Sequence, residues 1–345
     1  MIRSKRVPSL VVCSVLLAGA CQEREVATTT ASMAECVSSV VDAAPVARMS
    51  PAFVDSLSLH LPYFEVFPDG VAFAAARDNH VVFTDRVFSR HLVFGRQGGG
   101  PGDLRAPKAI RATPTGLAVM EGGNTRVSFW SKEGLFQYSV PVGSTAETFA
   151  VDSLQNVYTP SNEESSYILQ TAKGKVTRQW GKRFSGDGAK RAVNYWMDMV
   201  ARTSDGTLLV FDSSQRLIVR ISADGARQQV FALPPSIESE LAKETALIDK
   251  SFADMGMGGI TFALREFRLT DDGRLFLRTI GKGPFALLVN PRDMSCVSLT
   301  APTEPSARDL ITGAFAMTVA ESKLFVVSAT GNLVEFALGS IASKQ

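Results

Sequence analysis

Histidine is nearly missing from this chain. Three occur in 345 residues, His60, His80 and His91. None has the short spacing of a metal-binding pair, which excludes a histidine-built zinc site. No Gly-x-Ser-x-Gly turn is present, so a serine-hydrolase elbow has no basis. The run Gly98-Gly99-Gly100-Pro101-Gly102 lacks the Gly-Lys-Ser/Thr of a phosphate loop, and Pro101 and Pro107 punctuate it. It reads as a turn. Charge of one sign is lacking too: 36 Lys and Arg stand against 34 Asp and Glu. No basic block is long enough to hold nucleic acid or a membrane surface. The composition, 45% hydrophobic and 20% charged, is that of a globular chain with ample material for a large core.

Long apolar runs are equally scarce. One lies at the N-terminus, where Arg3, Lys5 and Arg6 precede Val7 to Leu17. It is too short for a permanent span and has the layout of a signal peptide over residues 1–20. The sequence Leu17-Ala18-Gly19-Ala20-Cys21 resembles the lipobox of bacterial lipoproteins, which implies a lipidated Cys21 as first mature residue. An ordinary secretory signal cut at the small residues would export the protein equally. Gln22 to Ser32 is polar and ends in Thr-Thr-Thr-Ala-Ser, which reads as a flexible tether. Residues 21–44 form a tether and N-terminal segment on this reading, and residues 45–340 the folded domain.

Cysteine is down to four. Cys13 leaves with the signal and Cys21 carries lipid, so Cys36 and Cys296 remain. In an oxidising compartment they are a candidate disulfide; the alternative is two buried, unpaired thiols.

What the chain has in quantity is a repeated short pattern of a turn pair followed by a β-rich run. It starts at Asp78-Asn79, Thr115-Gly116, Gln155-Asn156, Asp205-Gly206, Asp272-Gly273 and Ser322-Lys323. Asp-Gly and Asn-x supply the positive-φ conformations of tight hairpins. The intervals from Asn79 to Ser322 are 37, 40, 50, 67 and 49 residues, against roughly 40–50 for a four-stranded blade. Six copies predict an all-β, six-bladed β-propeller with four-stranded antiparallel blades. The last copy ends soon after Asn332 to Leu338 and lacks an outer strand. Closure by an N-terminal strand is therefore expected, from within Pro45 to Phe67, with Val54 to Leu61 as the candidate.

The fullest copy runs from Phe94 to Phe136. Phe94, Gly95, Gly98, Gly100 and Gly102 precede Pro107, and Asn124-Thr125-Arg126-Val127 follows. This resembles the NHL-type six-bladed propellers and the related six-bladed propeller lipoproteins of bacteria. The Gly-His and Trp-Asp pairs of WD40 repeats do not occur.

Two long insertions fall between blades, at 182–200 and 235–262. In the second, Ser236 and Glu238 mark a helix start, with Ile237, Leu241, Ala242, Thr245 and Ile248 on one face. A helix over Ser236 to Phe252 is predicted. The first brings Tyr195 and Trp196 together with Lys182, Arg183, Lys190 and Arg191, a set suited to a sugar, a carboxylate or an anionic polymer. Arg96 and Arg105 should share its face. The predicted function is a non-catalytic, lipid-anchored binding or scaffold module outside the cytoplasm, for a protein or carbohydrate of the cell envelope. No catalytic residue, metal ligand or cofactor is assigned. The alternative implied by the fold is a calcium-dependent lactonase or lyase, with Asp85, Asp212, Asn124 and Asn162 near a central channel.

Overall fold

The computed structural model describes residues 26–42, 44–47, 63–142, 148–161, 163, 165–183, 198–254, 264–279, 283–328 and 333–338. Six antiparallel sheets follow one another along the chain and close into a ring. Blade 1 comprises Tyr63–Phe67, Gly70–Ala75, His80–Asp85 and His91–Phe94, and blade 2 Pro107–Thr113, Gly116–Glu121, Arg126–Ser131 and Phe136–Pro141. Blade 3 comprises Ala150–Val151, Val157–Pro160, Ile168–Ala172 and Lys175–Trp180, and blade 4 Met199–Arg202, Leu208–Asp212, Leu217–Ile221 and Arg227–Ala232. Blade 5 comprises Leu264–Leu269, Leu275–Thr279, Ala286–Val289 and Cys296–Thr300, and blade 6 Ala314–Ala320, Lys323–Ser328 and Leu333–Ala337. The first strand of each blade lies innermost, against the first strands of its neighbours.

The β-rich runs of the repeat are mostly the second strands, and these are buried nearly end to end. A strand covered on both faces sends alternate side chains to opposite sides. In blade 2, Leu117 and Val119 join a core with blade 1, while Ala118 and Met120 join one with blade 3. In blade 4, Leu209 and Phe211 face blade 5, while Leu208 and Val210 face blade 3. Among the described residues there are six such cores, one at each junction between blades. Gly116 shows why a glycine opens this strand. Its φ is 151°, and a Cβ there would lie 2.1 Å from the Trp130 carbonyl oxygen.

Blade 1 corrects one register. Asp78-Asn79 precedes its third strand, not its second. The true counterpart of the other copies is Asp69-Gly70, 46 residues before Gly116. Both turns carry the same chemistry, so local composition could not tell them apart.

The N-terminal segment wraps the rim. Ala27–Ser32 adds to blade 4 as a fifth strand, parallel to Arg227–Ala232, and Val37–Val40 adds to blade 5, parallel to the fourth strand. Val46–Ala47 pairs antiparallel with Leu333–Ala337 as the outer strand of blade 6. The flexible tether expected over Gln22 to Ser32 is therefore a strand from Ala27 onward. Thr28, Thr29 and Thr30 favour extended backbone, and the open edge of blade 4 supplies the hydrogen bonds. Met33 and Val41 insert into the cores of blades 4/5 and 5/6. A disulfide joins Cys36 to Cys296 between these insertions, with Cα atoms 4.8 Å apart. The closing strand lies within Pro45 to Phe67; the narrower candidate, Val54 to Leu61, falls outside the described residues, as do the signal peptide and Cys21.

Helix α1, Pro235–Asp254, links blades 4 and 5. Proline suits a first helical position, where its missing N–H would be unpaired in any case. Ile237, Leu241 and Thr245 are buried one turn apart. Helix α2, Pro305–Thr312, links blades 5 and 6, and Glu304 caps it by accepting from the Ser306 and Ala307 amides.

Candidate functional site

Strand directions alternate, so the inter-blade connections and the second-to-third strand turns share one face of the ring. The remaining hairpin turns share the other. The described ends of both long insertions, 182–183 with 198–200 and 235–254, lie on the first, the inter-blade face.

On that face the glycine-rich connection 95–106 is held by a clamp. Glu121 is fully buried. Its carboxylate accepts from Arg126 Nε at 2.8 Å, Asn124 Nδ2 at 2.6 Å, the Arg105 amide at 3.2 Å and the Ser128 hydroxyl. Arg126 then donates to the carbonyls of Gly99 and Gly100 at 3.1 Å and Asp103 at 2.7 Å. The Asn-x-Arg element thus fixes a loop. Arg96 is exposed, with Nε 2.8 Å from Asp103, and this contact holds the Asp103 carboxyl below its ordinary range. The exposed Arg105 lays its aliphatic stem over Gly123, where a Cβ would meet Arg105 Cγ at 2.4 Å.

Arg183 is engaged by the protein's own groups. It donates to Asp198 at 2.6 Å, to the Ser161 carbonyl at 2.8 Å and to the Glu163 carbonyl at 3.1 Å, and lies 5.0 Å from the Tyr167 ring. Only 8% of its side chain is exposed. It fastens the start of the connection between blades 3 and 4. Asp198 is pushed up by burial and by the charge of Asp212, against the pull of Arg183. Lys182 is exposed, and its backbone brackets the Gln228 amide at 2.9 and 2.7 Å. Tyr195, Trp196, Lys190 and Arg191 fall outside the described residues.

Two of the polar residues expected near a channel, Asp85 and Asp212, cap turns. Asp85, on the hairpin face, accepts from the Val87 and Ser89 amides at 3.2 and 2.9 Å. Asp212 accepts from the Ser214 and Gln215 amides, each at 3.0 Å, and from the Tyr167 hydroxyl at 3.0 Å. Asn124 belongs to the Glu121 clamp. Asn162 is outside the described residues.

The innermost strands supply a different set. Arg268 of blade 5 reaches Glu65 of blade 1 at 3.1 Å and the Phe64 carbonyl at 3.2 Å. Arg111 of blade 2 lies 3.8 Å from Glu65 and donates to the Phe149 and Ile110 carbonyls at 3.0 and 2.8 Å. Glu266 lies 3.9 Å from Arg268. Burial and the nearby Arg268 charge lower Arg111 to about 10, and burial pushes Glu266 up. Two carboxylates and two guanidiniums therefore neutralise one another across the ring. Their signal in the sequence was the pair Glu266 and Arg268, two residues apart on one strand.

Arg265 sits at an irregularity of the same strand, where the register shifts between Leu264 and Glu266, and lines a cleft of about 380 Å³ between blades 5 and 6, on the inter-blade face. Arg278 and Arg308 line it as well. These three arginines come from an innermost strand, a second strand and helix α2. Nothing local in the sequence joins them.

No protein-family model matches the chain, and no curated protein matches its sequence. Solved structures do resemble it. Virginiamycin B lyase from Staphylococcus aureus superposes with a TM-score of 0.52 at 10% identity, over 81% of this chain and 95% of the lyase. A Bacteroides fragilis protein described as exported gives 0.54 at 7% identity, over 90% and 98%. A streptogramin B lyase gives 0.50 at 14%, over 86% and 88%. At these identities the likeness is one of fold. Among the described residues no three His, Cys, Asp or Glu side chains group as a metal site, and no helix is long and apolar enough to cross a membrane.

Proposed function

We propose that the protein is an exported, non-catalytic binding module, anchored by lipid at Cys21, whose inter-blade face receives a protein or carbohydrate of the cell envelope. The observation that carries this is the point where the N-terminal strand joins the ring. The Ala27 amide donates to the Ala226 carbonyl at 3.2 Å, beside the outer hairpin turn of blade 4. That turn belongs to the face opposite the inter-blade connections. Five residues, Gln22 to Val26, separate it from Cys21, six chain steps that reach at most about 20 Å. A lipid at Cys21 would hold the hairpin face toward the bilayer and turn the insertions outward. Loops on a rigid scaffold are where binding concentrates.

Two further observations support binding over catalysis. Glu65 and Arg268 form an ion pair at 3.1 Å, with Glu65 Oε2 and Arg268 Nε buried and without a hydrogen-bond partner, and Glu266 lies 3.9 Å from the same arginine. Arginine thereby supplies the counter-charge that a cation would supply in a calcium site. The histidines His80 and His91 lie on the third and fourth strands of blade 1, away from the innermost ring.

The test is capture from envelope extracts by the exported chain and two charge-reversal variants. Arg105→Glu with Lys182→Glu, on the inter-blade face, is expected to lose the wild-type partner. Lys132→Glu, on the hairpin face, is expected to keep it. Equal capture by both variants would reject the face assignment. Release from membranes by Cys21→Ser is the companion result; continued membrane retention would reject the anchor.

A further inference from the structure

The cleft between blades 5 and 6 has a one-sided charge. Among the described residues, Arg265, Arg278 and Arg308 line it and no acidic side chain does. Arg278 is 3% exposed and is anchored by donating to the Phe315 carbonyl at 2.8 Å and to the Ala314 carbonyl. Arg265 is exposed and has no hydrogen bond or ion pair among the described residues. Arg308 is half exposed, with Nε 3.9 Å from the more exposed Asp309. Burial lowers Arg278 to about 10; the charge of its cross-strand neighbour Glu266 favours the guanidinium, and the charge of Arg265 opposes it. At the rim Glu240 lies beside Gly283 and pairs with Lys243 at 3.4 Å. Like charges held together at the wall of a recess are a cost to the empty protein that an anion removes.

The rest of the lining is apolar or already bonded. Phe285, Ile311 and Met317 are buried beneath the arginines. The hydroxyls of Thr279, Thr300 and Thr312 donate to the carbonyls of Pro284, Ser39 and Arg308 at 2.6, 3.2 and 3.0 Å. They offer no competing donor to a sugar. The volume of about 380 Å³ is at the small end of ligand pockets and suits one residue-sized group rather than a chain lying across the face.

We propose that this cleft binds an organic acid, its carboxylate held by Arg265 and Arg308 and its apolar body set against Phe285, Ile311 and Met317. Arg278 supplies a fixed positive floor. The inference rests on the reading of the inter-blade face as the binding face, and it names the chemistry recognised there. The acid could be a free small molecule or the carboxyl end of a partner chain.

Titration calorimetry with phenylacetate tests it, against phenylacetamide as the neutral counterpart. The acid is expected to bind at least about tenfold more tightly than the amide. Arg265→Ala with Arg308→Ala is expected to remove that preference while leaving the melting temperature within about 2 °C of wild type, because both side chains are exposed. A tripeptide ending in phenylalanine, with free or amidated carboxyl, separates the two sources. Preference for the free peptide over phenylacetate assigns the cleft to a chain end. Equal binding of acid and amide, undiminished binding by the double variant, or no heat with either acid overturns the proposal. Phenylacetate binding without face-dependent capture from envelope extracts would leave the cleft standing and remove the scaffold function.

Discussion

Glu121 and Asp198 are both buried carboxylates facing an arginine, and they differ in what else they touch. Glu121 has four donors around it, so it organises a loop. Removing one partner of a buried pair costs about 3–5 kcal/mol, because the other is left unpaired. Glu121→Ala is therefore expected to lower the denaturant midpoint substantially and to open 98–102 to proteolysis. A variant with wild-type stability would show that the clamp is not needed. Asp198 sits beside a second buried carboxylate, Asp212, and holds its proton to higher pH when folded than when unfolded. Its contribution to stability is then fully present below an unfolded pKa of about 3.9 and is lost as pH rises through the raised folded value. Asp198→Asn should flatten the pH dependence in the weakly acidic range. Unfolding midpoints measured from pH 4 to 7 check this, and an unchanged slope would place the titration elsewhere.

At the scale of elements, the N-terminal strap departs most from expectation. A polar, threonine-rich segment has no apolar period, so the sequence reads as tether. It becomes a strand because the fourth strands of blades 4 and 5 leave edges to pair with, and an unpaired edge is a liability. The Cys36–Cys296 bond closes a span of 260 residues, worth about 5 kcal/mol at most in the chain-entropy view. Cys296→Ser is expected to lower the melting temperature by several degrees and to expose the amides of Ala27–Ser32 and Val37–Val40 to faster hydrogen exchange. Unchanged protection would mean that pairing alone holds the strap. Helix α1 was better marked, since Ile237, Leu241 and Thr245 carry a helical period and Ser236 and Glu238 a start signal. Its end, Asp254, extends past the predicted Phe252 by the two residues over which helix ends ordinarily fray.

For the whole molecule, six repeats dictate a ring because each blade leaves both faces apolar. Burying both requires a neighbour on each side, and only closure provides that for every blade. The six junction cores and the Val46–Ala47 strand on blade 6 are the physical form of that requirement. By itself the sequence determined the strand period, the number of copies, the need for a closing strand and the face that carries the insertions. These depend on local patterns: alternation along a strand, turn residues and spacing. Only the tertiary structure decided what each charged side chain does. Arg183 and Arg265 look alike as exposed-loop or strand cations in a linear chain. One is locked by Asp198 and two carbonyls, and the other stands open over a cleft. Arg268 meets Glu65 from two blades away, across the ring. Such pairings join residues far apart in the chain, and no local pattern encodes them.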